Sequence, residues 1–297
     1  MIAYRDTLRP LDPCGYVVDD AAMQRIGTPD YFGALGTFDT CRVSFNPRGG
    51  DDPTLITATM YPLGGPQYEG PITPHPGVEG VSCTADVPVS DRRHLNFIVY
   101  AGGDFIGDHP KGDVCETVRD IATAAVPHRL ERPLRATSQR AHINSRLATL
   151  DPCAVLGKVG PGHRPALADN GTNGDPWSCA FHLDRGDEST LQHIIYAFDS
   201  DRWSMGRERA RGLIAKETTI GGLRAVESSG SHDPGYTGAC WIYLATAPQP
   251  AVATLRTDEQ STDHGKSEII SIRADNGCTA ARTTAEELTR LYNQLPH

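Results

Sequence analysis

Hydrophobic alternation marks four stretches of the first half of the chain. Residues 39–46, 53–61, 79–88 and 94–101 alternate apolar and polar positions, as in Leu55-Ile56-Thr57-Ala58-Thr59-Met60-Tyr61. That period of two, with its β-branched residues, predicts strands. The second half repeats the signal over 177–184, 190–198, 220–228, 238–246, 251–257 and 267–273. Clusters such as Gly64-Gly65-Pro66 and Asp233-Pro234-Gly235 break the chain between strands. Helical spacing takes over at the end of each half. Val114, Val118, Ile121, Ala122 and Ala125 share one face, with Asp113 as cap and Pro127 as stop. Ala281, Ala285, Leu288, Leu291, Tyr292 and Leu295 form the stripe of a second helix starting near Thr279. A short helix is also expected over 19–27, where Asp19 and Asp20 suit an N-terminus and Gly27 a C-cap. Its counterpart, Leu156-Gly157-Lys158-Val159-Gly160-Pro161-Gly162, is rich in helix breakers, so that helix is expected to be shortened or lost. Strands grouped together with helices at both ends predict an α+β fold of antiparallel sheets covered by helices, not βαβ units.

The cysteines show that this pattern occurs twice. Leu11-Asp12-Pro13-Cys14 recurs as Leu150-Asp151-Pro152-Cys153. Cys14, Cys41, Cys83 and Cys115 are separated by 27, 42 and 32 positions; Cys153, Cys179, Cys240 and Cys278 by 26, 61 and 38. In each half the second and third cysteines lie in strand-like runs and the fourth opens a helix-like segment. Two similar domains in tandem account for four matched contexts in order. The boundaries read as residues 1–132 for the first domain, 133–149 for a polar linker and 150–297 for the second. Four cysteines allow three pairings per half. The near-constant first interval favours first-to-second and third-to-fourth, so that two disulfides staple each domain. No cysteines are closer than 26 positions, so close pairs of the kind that hold zinc or run thiol exchange are absent. Disulfides persist in oxidising compartments, and the sequence is read as extracytoplasmic on that ground.

Charge narrows the partners. The net charge is -9, from 28 Lys+Arg against 37 Asp+Glu, which disfavours nucleic acid. The densest basic run, His128 to Arg135, is broken by Glu131 and Pro133 and reads as solvated linker. No apolar run is long enough to cross a bilayer. No signal peptide is visible at Met1, so contact with a membrane is expected only through an N-terminal anchor missing from this sequence.

The D-P-C openings, the cysteine-containing strands, the segment Ile220-Gly221-Gly222-Leu223-Arg224-Ala225-Val226 before Cys240-Trp241-Ile242-Tyr243, and the cysteine-initiated last helix together resemble an actinobacterial family. It comprises envelope lipoproteins and membrane-anchored extracellular domains of unknown function. The matched segments cover about half the chain, and the first half lacks a clear counterpart of Gly-Leu-Arg-Ala-Val. The resemblance implies an exported protein at the cell envelope, anchored in its full-length form, and no particular reaction.

Motifs for chemistry are few. G-x-S-x-G, H-E-x-x-H, the P-loop and G-x-G-x-x-G are all absent. No two of the 11 histidines stand at the i, i+4 spacing of a helical metal pair. No cofactor is implied. Asp169, Asn173 and Asp175 space oxygens as in a calcium loop, but Gly171 and Ala180 stand where two further ligands belong. Trp203, in a polar stretch of the longest inter-cysteine interval, reads either as packing under a helix over 206–215 or as a partner-binding element. Tyr68 and His75, in the Gly/Pro-rich loop of the first half, are candidate ligand contacts.

These readings favour a non-enzymatic envelope protein that binds, senses or assembles, with an envelope protein or a small ligand as partner. The alternative is an exported hydrolase acting on wall or lipid, with a constellation drawn from His109, Asp113, His232 and Asp233. A carboxylate–histidine pair in a concave pocket would distinguish the two.

Overall fold

The computed structural model describes residues 7–29, 31–34, 36–45, 54–61, 71–78, 81–90, 93–101, 113–131, 133–138, 145–159, 162, 164–168, 175–184, 186–199, 212–230, 238–248 and 267–296. The fold is α+β, with two antiparallel sheets. In the first half a 3-10 turn (Pro13–Tyr16) and helix α1 (Asp20–Ile26) precede strands β1 (Tyr31–Ala34), β2 (Gly36–Thr37), β3 (Thr40–Phe45), β4 (Thr54–Tyr61), β5 (His75–Pro76), β6 (Ser82–Ser90) and β7 (Arg93–Tyr100); helix α2 (Val114–Ala125) follows. The second half has a 3-10 turn (Pro152–Gly157), strands β8 (Ala166–Leu167), β9 (Ser178–His182), β10 (Leu191–Asp199), β11 (Ile214–Ile220), β12 (Leu223–Ser229), β13 (Cys240–Pro248) and β14 (Ser267–Ala274), then helix α3 (Cys278–Asn293).

The two sheets share one topology. The first runs β1-β3-β4-β7-β6-β5 and the second β8-β9-β10-β14-β13-β12, with β11 added beyond β12. Alternation places Val43, Ile56, Ala58, Ala85, Leu95 and Phe97 on the face under α2, where Val118, Ile121 and Ala122 meet them. In the second half Phe181, Ile194, Ile242, Leu244, Ile270 and Ile272 face α3 through Ala281, Ala285 and Leu288. Apolar burial on the helix-covered face of each sheet supplies the driving force, and the second sheet also buries Val226, Tyr243 and Ile269 on its opposite face.

The repeated tetrapeptide has a local explanation. Leu11 and Leu150 are buried. The Oδ1 atoms of Asp12 and Asp151 each accept a hydrogen bond at 2.9 Å, from the backbone N–H of Cys14 and Cys153 respectively. Proline occupies the first helical position, where its missing N–H costs nothing. The cysteine then crosses to a strand. The bridges are Cys14–Cys41, Cys83–Cys115, Cys153–Cys179 and Cys240–Cys278. Each half is therefore stapled at both ends: turn to strand β3 or β9, and strand β6 or β13 to the following helix.

The breaker-rich segment after Cys153 keeps only the 3-10 turn, as its sequence predicts. Other elements differ from the sequence expectation. The strand expected over 220–228 starts at Leu223, because Gly221 and Gly222, both with positive φ, form a tight hairpin turn. Ahead of that turn lies β11, where Ile214 and Ala215 are strand residues and not the end of a helix over 206–215. The strand expected over 251–257 and residues 206–211 lie outside the described residues. In the basic run from His128 to Arg135, residues 129–131 are exposed as expected, but Arg135 is not solvated. Arg135 donates its backbone N–H to Pro10 O and its Nε–H to Leu11 O, both at 2.8 Å, and it is buried. Pro133 O accepts from the Asp12 N–H at 2.8 Å, so this segment is sewn onto the first LDPC turn.

Candidate functional site: the seam between the halves

The halves are joined by an exchange of structure. After β1 the chain leaves its own sheet, and β2 pairs with β10 of the second half, Thr37 opposite Ala197 and Gly36 opposite Phe198. The next residue, Phe38, is fully buried in the second core. Its ring lies 5.9 Å from that of Trp177 and 6.3 Å from that of Tyr196. The chain then returns to its own sheet at Thr40. A first-half side chain thus completes the second core.

Asp39 and Trp177 are counterparts in the duplication. Each stands two residues before the second cysteine of its half. Each carbonyl accepts the equivalent hydrogen bond from the neighbouring strand: Met60 N–H to Asp39 O at 3.3 Å and Tyr196 N–H to Trp177 O at 2.9 Å. Arg135 serves both. Its guanidinium carbon sits 4.5 Å above the centroid of the Trp177 ring, a cation–π contact. The charges of Asp12 and Asp39 act on the same guanidinium. Burial lowers its pKa to about 10, and those two carboxylates oppose the shift. Burial also raises the Asp39 pKa, against the opposing effects of its hydrogen bond with Thr37 and the charge of Arg135. Arg9 adds a second crossing: its Nη2 lies 2.8 Å from Asp151 Oδ1, and its Nε–H donates to Pro176 O at 3.1 Å. Chemically the seam is a clasp of one aromatic anchor and two arginines, with both LDPC aspartates drawn in.

A serine–histidine pair lies on the face of the second sheet away from α3. Ser178 Oγ and His193 Nε2 are 2.9 Å apart. Burial and then the charge of Arg273 lower the His193 pKa, favouring the neutral imidazole. Ser178 is only 2% exposed, and no carboxylate is among the groups that shift His193.

The residues singled out from sequence are scattered by comparison. Trp203, Tyr68, Asp169 and Asn173 lie outside the described residues, as do His109, His232 and Asp233. His75 is exposed on the two-residue edge strand β5. Asp175 Oδ1 accepts the Trp177 backbone N–H at 2.8 Å, ordering the turn into β9. Asp113 caps α2 by accepting the Cys115 N–H at 2.8 Å. Among the described residues no three His, Cys, Asp or Glu side chains form a metal-binding group, and no helix is long and apolar enough to cross a membrane. The seam residues Phe38, Asp39, Arg135 and Trp177 carry no motif. The one available signal was the alignment of the two halves on their second cysteines, which sets Asp39 against Trp177.

Compared with family models, curated proteins and solved structures, the chain matches none. The four disulfides are the feature that bears on compartment, since such bonds persist in oxidising, extracytoplasmic surroundings.

Proposed function

We propose that this chain is a non-enzymatic module of the cell envelope, exposed outside the cytoplasm and anchored in its native form, that works by binding, sensing or assembly. The observation that carries this reading is the complete use of cysteine as staple: all eight form bonds within their own half. The resemblance to envelope lipoproteins supports the same location. The clasp at Phe38 and Arg135 holds two stapled domains as one scaffold, on which longer loops can meet a partner.

The second reading, an exported hydrolase, has the Ser178–His193 hydrogen bond in its favour. Against it, a working triad needs an exposed nucleophile and a group that orients the base. Two experiments separate the readings. A membrane-impermeant amine label applied to intact host cells should tag the protein, and failure to tag it would remove the envelope assignment. A fluorophosphonate probe should leave Ser178 unmodified in the folded protein, whereas stoichiometric labelling at Ser178 would establish the hydrolase.

A further inference from the structure

Among the described residues, the strands that end the two sheet orders differ in how their outer edges are protected. In the first sheet β1 has four residues, and β5 has two, one of them proline. In the second, β8 has two residues. Short strands and proline are the ordinary means by which proteins keep sheet edges from pairing with other chains. The fourth edge, β11, has neither device. It runs for seven residues, Ile214-Ala215-Lys216-Glu217-Thr218-Thr219-Ile220, without proline. It pairs with β12 in unbroken register from Ile214–Ser229 to Ile220–Leu223. Among the described residues it has no counterpart in the first sheet, which ends at β5.

Hydrogen-bond alternation fixes which groups face outward. The two-residue turn at Gly221-Gly222 makes Ile220 and Leu223 the closing hydrogen-bonded pair, so Ile220, Thr218, Lys216 and Ile214 bond inward to β12. The N–H and C=O groups of Ala215, Glu217 and Thr219 then point away from the sheet. Lys216, Glu217 and Thr219 are exposed, so solvent reaches this edge from both faces.

We propose that β11 pairs antiparallel with β11 of a second copy of this chain, extending the sheet across a two-fold axis. The inference rests on the assembly reading above and names its partner. A two-fold axis perpendicular to a sheet must pass through one residue of the strand, because residues directly opposite share a face. An axis at Lys216 opposes two lysines, and one at Glu217 opposes two glutamates; both are unfavourable. An axis at Thr218 opposes two threonines, sets Glu217 against Thr219 of the partner strand, and sets Lys216 against Ile220. That register has no like-charge pair and makes about four backbone hydrogen bonds through Glu217 and Thr219. Each Glu217 stays beside Arg224, whose Nη2 is 3.3 Å from its Oε1 within one chain.

The test is sedimentation velocity of the full oxidised chain up to about 100 µM, a range in which small interfaces populate. The expected result is a concentration-dependent shift from monomer towards dimer. Thr219→Pro should abolish the shift without unfolding the chain, because the N–H it removes faces outward and bonds none of the described residues. Thr219→Val, which keeps that N–H, should retain it. A wild-type chain that stays monomeric throughout, or a dimer indifferent to Thr219→Pro with its fold intact by circular dichroism, overturns the proposal. Neither outcome touches the envelope assignment, which the surface label tests by itself.

Discussion

Phe38 of the first domain and Trp177 of the second lie 5.9 Å apart, centroid to centroid, inside one core. Two structural consequences follow. The second domain lacks part of its core unless the first is attached. Unfolding of either domain also exposes apolar surface in both.

Phe38→Ala should therefore destabilise the second domain although the mutation lies in the first. Removing a buried Phe side chain costs about 3–5 kcal/mol when the site cannot collapse. Urea unfolding followed by tryptophan fluorescence, which Trp177 helps report, should show an earlier transition. A residue 133–297 fragment should resemble the variant more than the intact chain. An unchanged midpoint for Phe38→Ala would show that the ring is not part of the second core.

The Asp39 carboxyl gives a pH dependence of known sign. Its pKa in the folded state is raised by burial, so the folded chain binds this proton more tightly than the unfolded chain. The associated stability is fully present below the unfolded value near 3.8 and is lost as pH rises through the raised folded value. Ionising this buried carboxyl costs stability. Asp39→Asn should remove that cost, so its stability relative to wild type should be most favourable at pH 7 and decline on acidification towards pH 4. A relative stability that instead improves on acidification contradicts the burial argument.

His193 titrates with the opposite sign. Its pKa is lowered by burial and by Arg273, so its contribution is present above the unfolded value of 6.5 and lost as pH falls through the lowered folded value. His193→Gln should flatten the acid side of the stability profile. Nuclear magnetic resonance titration of the imidazole in the wild-type chain gives the direct check, with a midpoint below 6.5 expected.

Gly221 has φ +55°, and a Cβ there would lie 2.4 Å from Thr289 Cγ2. Both facts demand glycine, one through backbone strain and the other through α3 packed against the turn. Gly221→Ala should cost about 1–3 kcal/mol. Adding Thr289→Ser, which removes the offending methyl, should recover only part of the loss, because the strained φ remains. Full recovery would assign the cost to the clash alone.

Much of this architecture was legible because it was written twice. Alternation located the long strands, and the helical stripes located α2 and α3. The near-constant first cysteine interval indicated the staples, because a short loop from turn to strand is the same object in both copies. The features that join the domains were hidden for physical reasons. Two residues, Gly36 and Thr37, are too few to show a period, so β2 left no trace. Arg135 looked solvated because charge in a proline-broken stretch usually is; its burial comes from Trp177 and Leu11, which are distant in sequence. The β11 strand was obscured by Lys216 and Glu217 side by side, a pairing with no alternation of polarity. On an edge open to solvent on both faces, alternation is not required.

The bridges carry the claim about compartment, and intact mass tests it most directly. The full chain is denatured without reductant, treated with excess alkylating reagent and weighed. With all eight cysteines bonded, no label is added before reduction and eight are added after it. Eight labels before reduction would contradict it, returning the protein to a reducing compartment and its cysteines to chemistry.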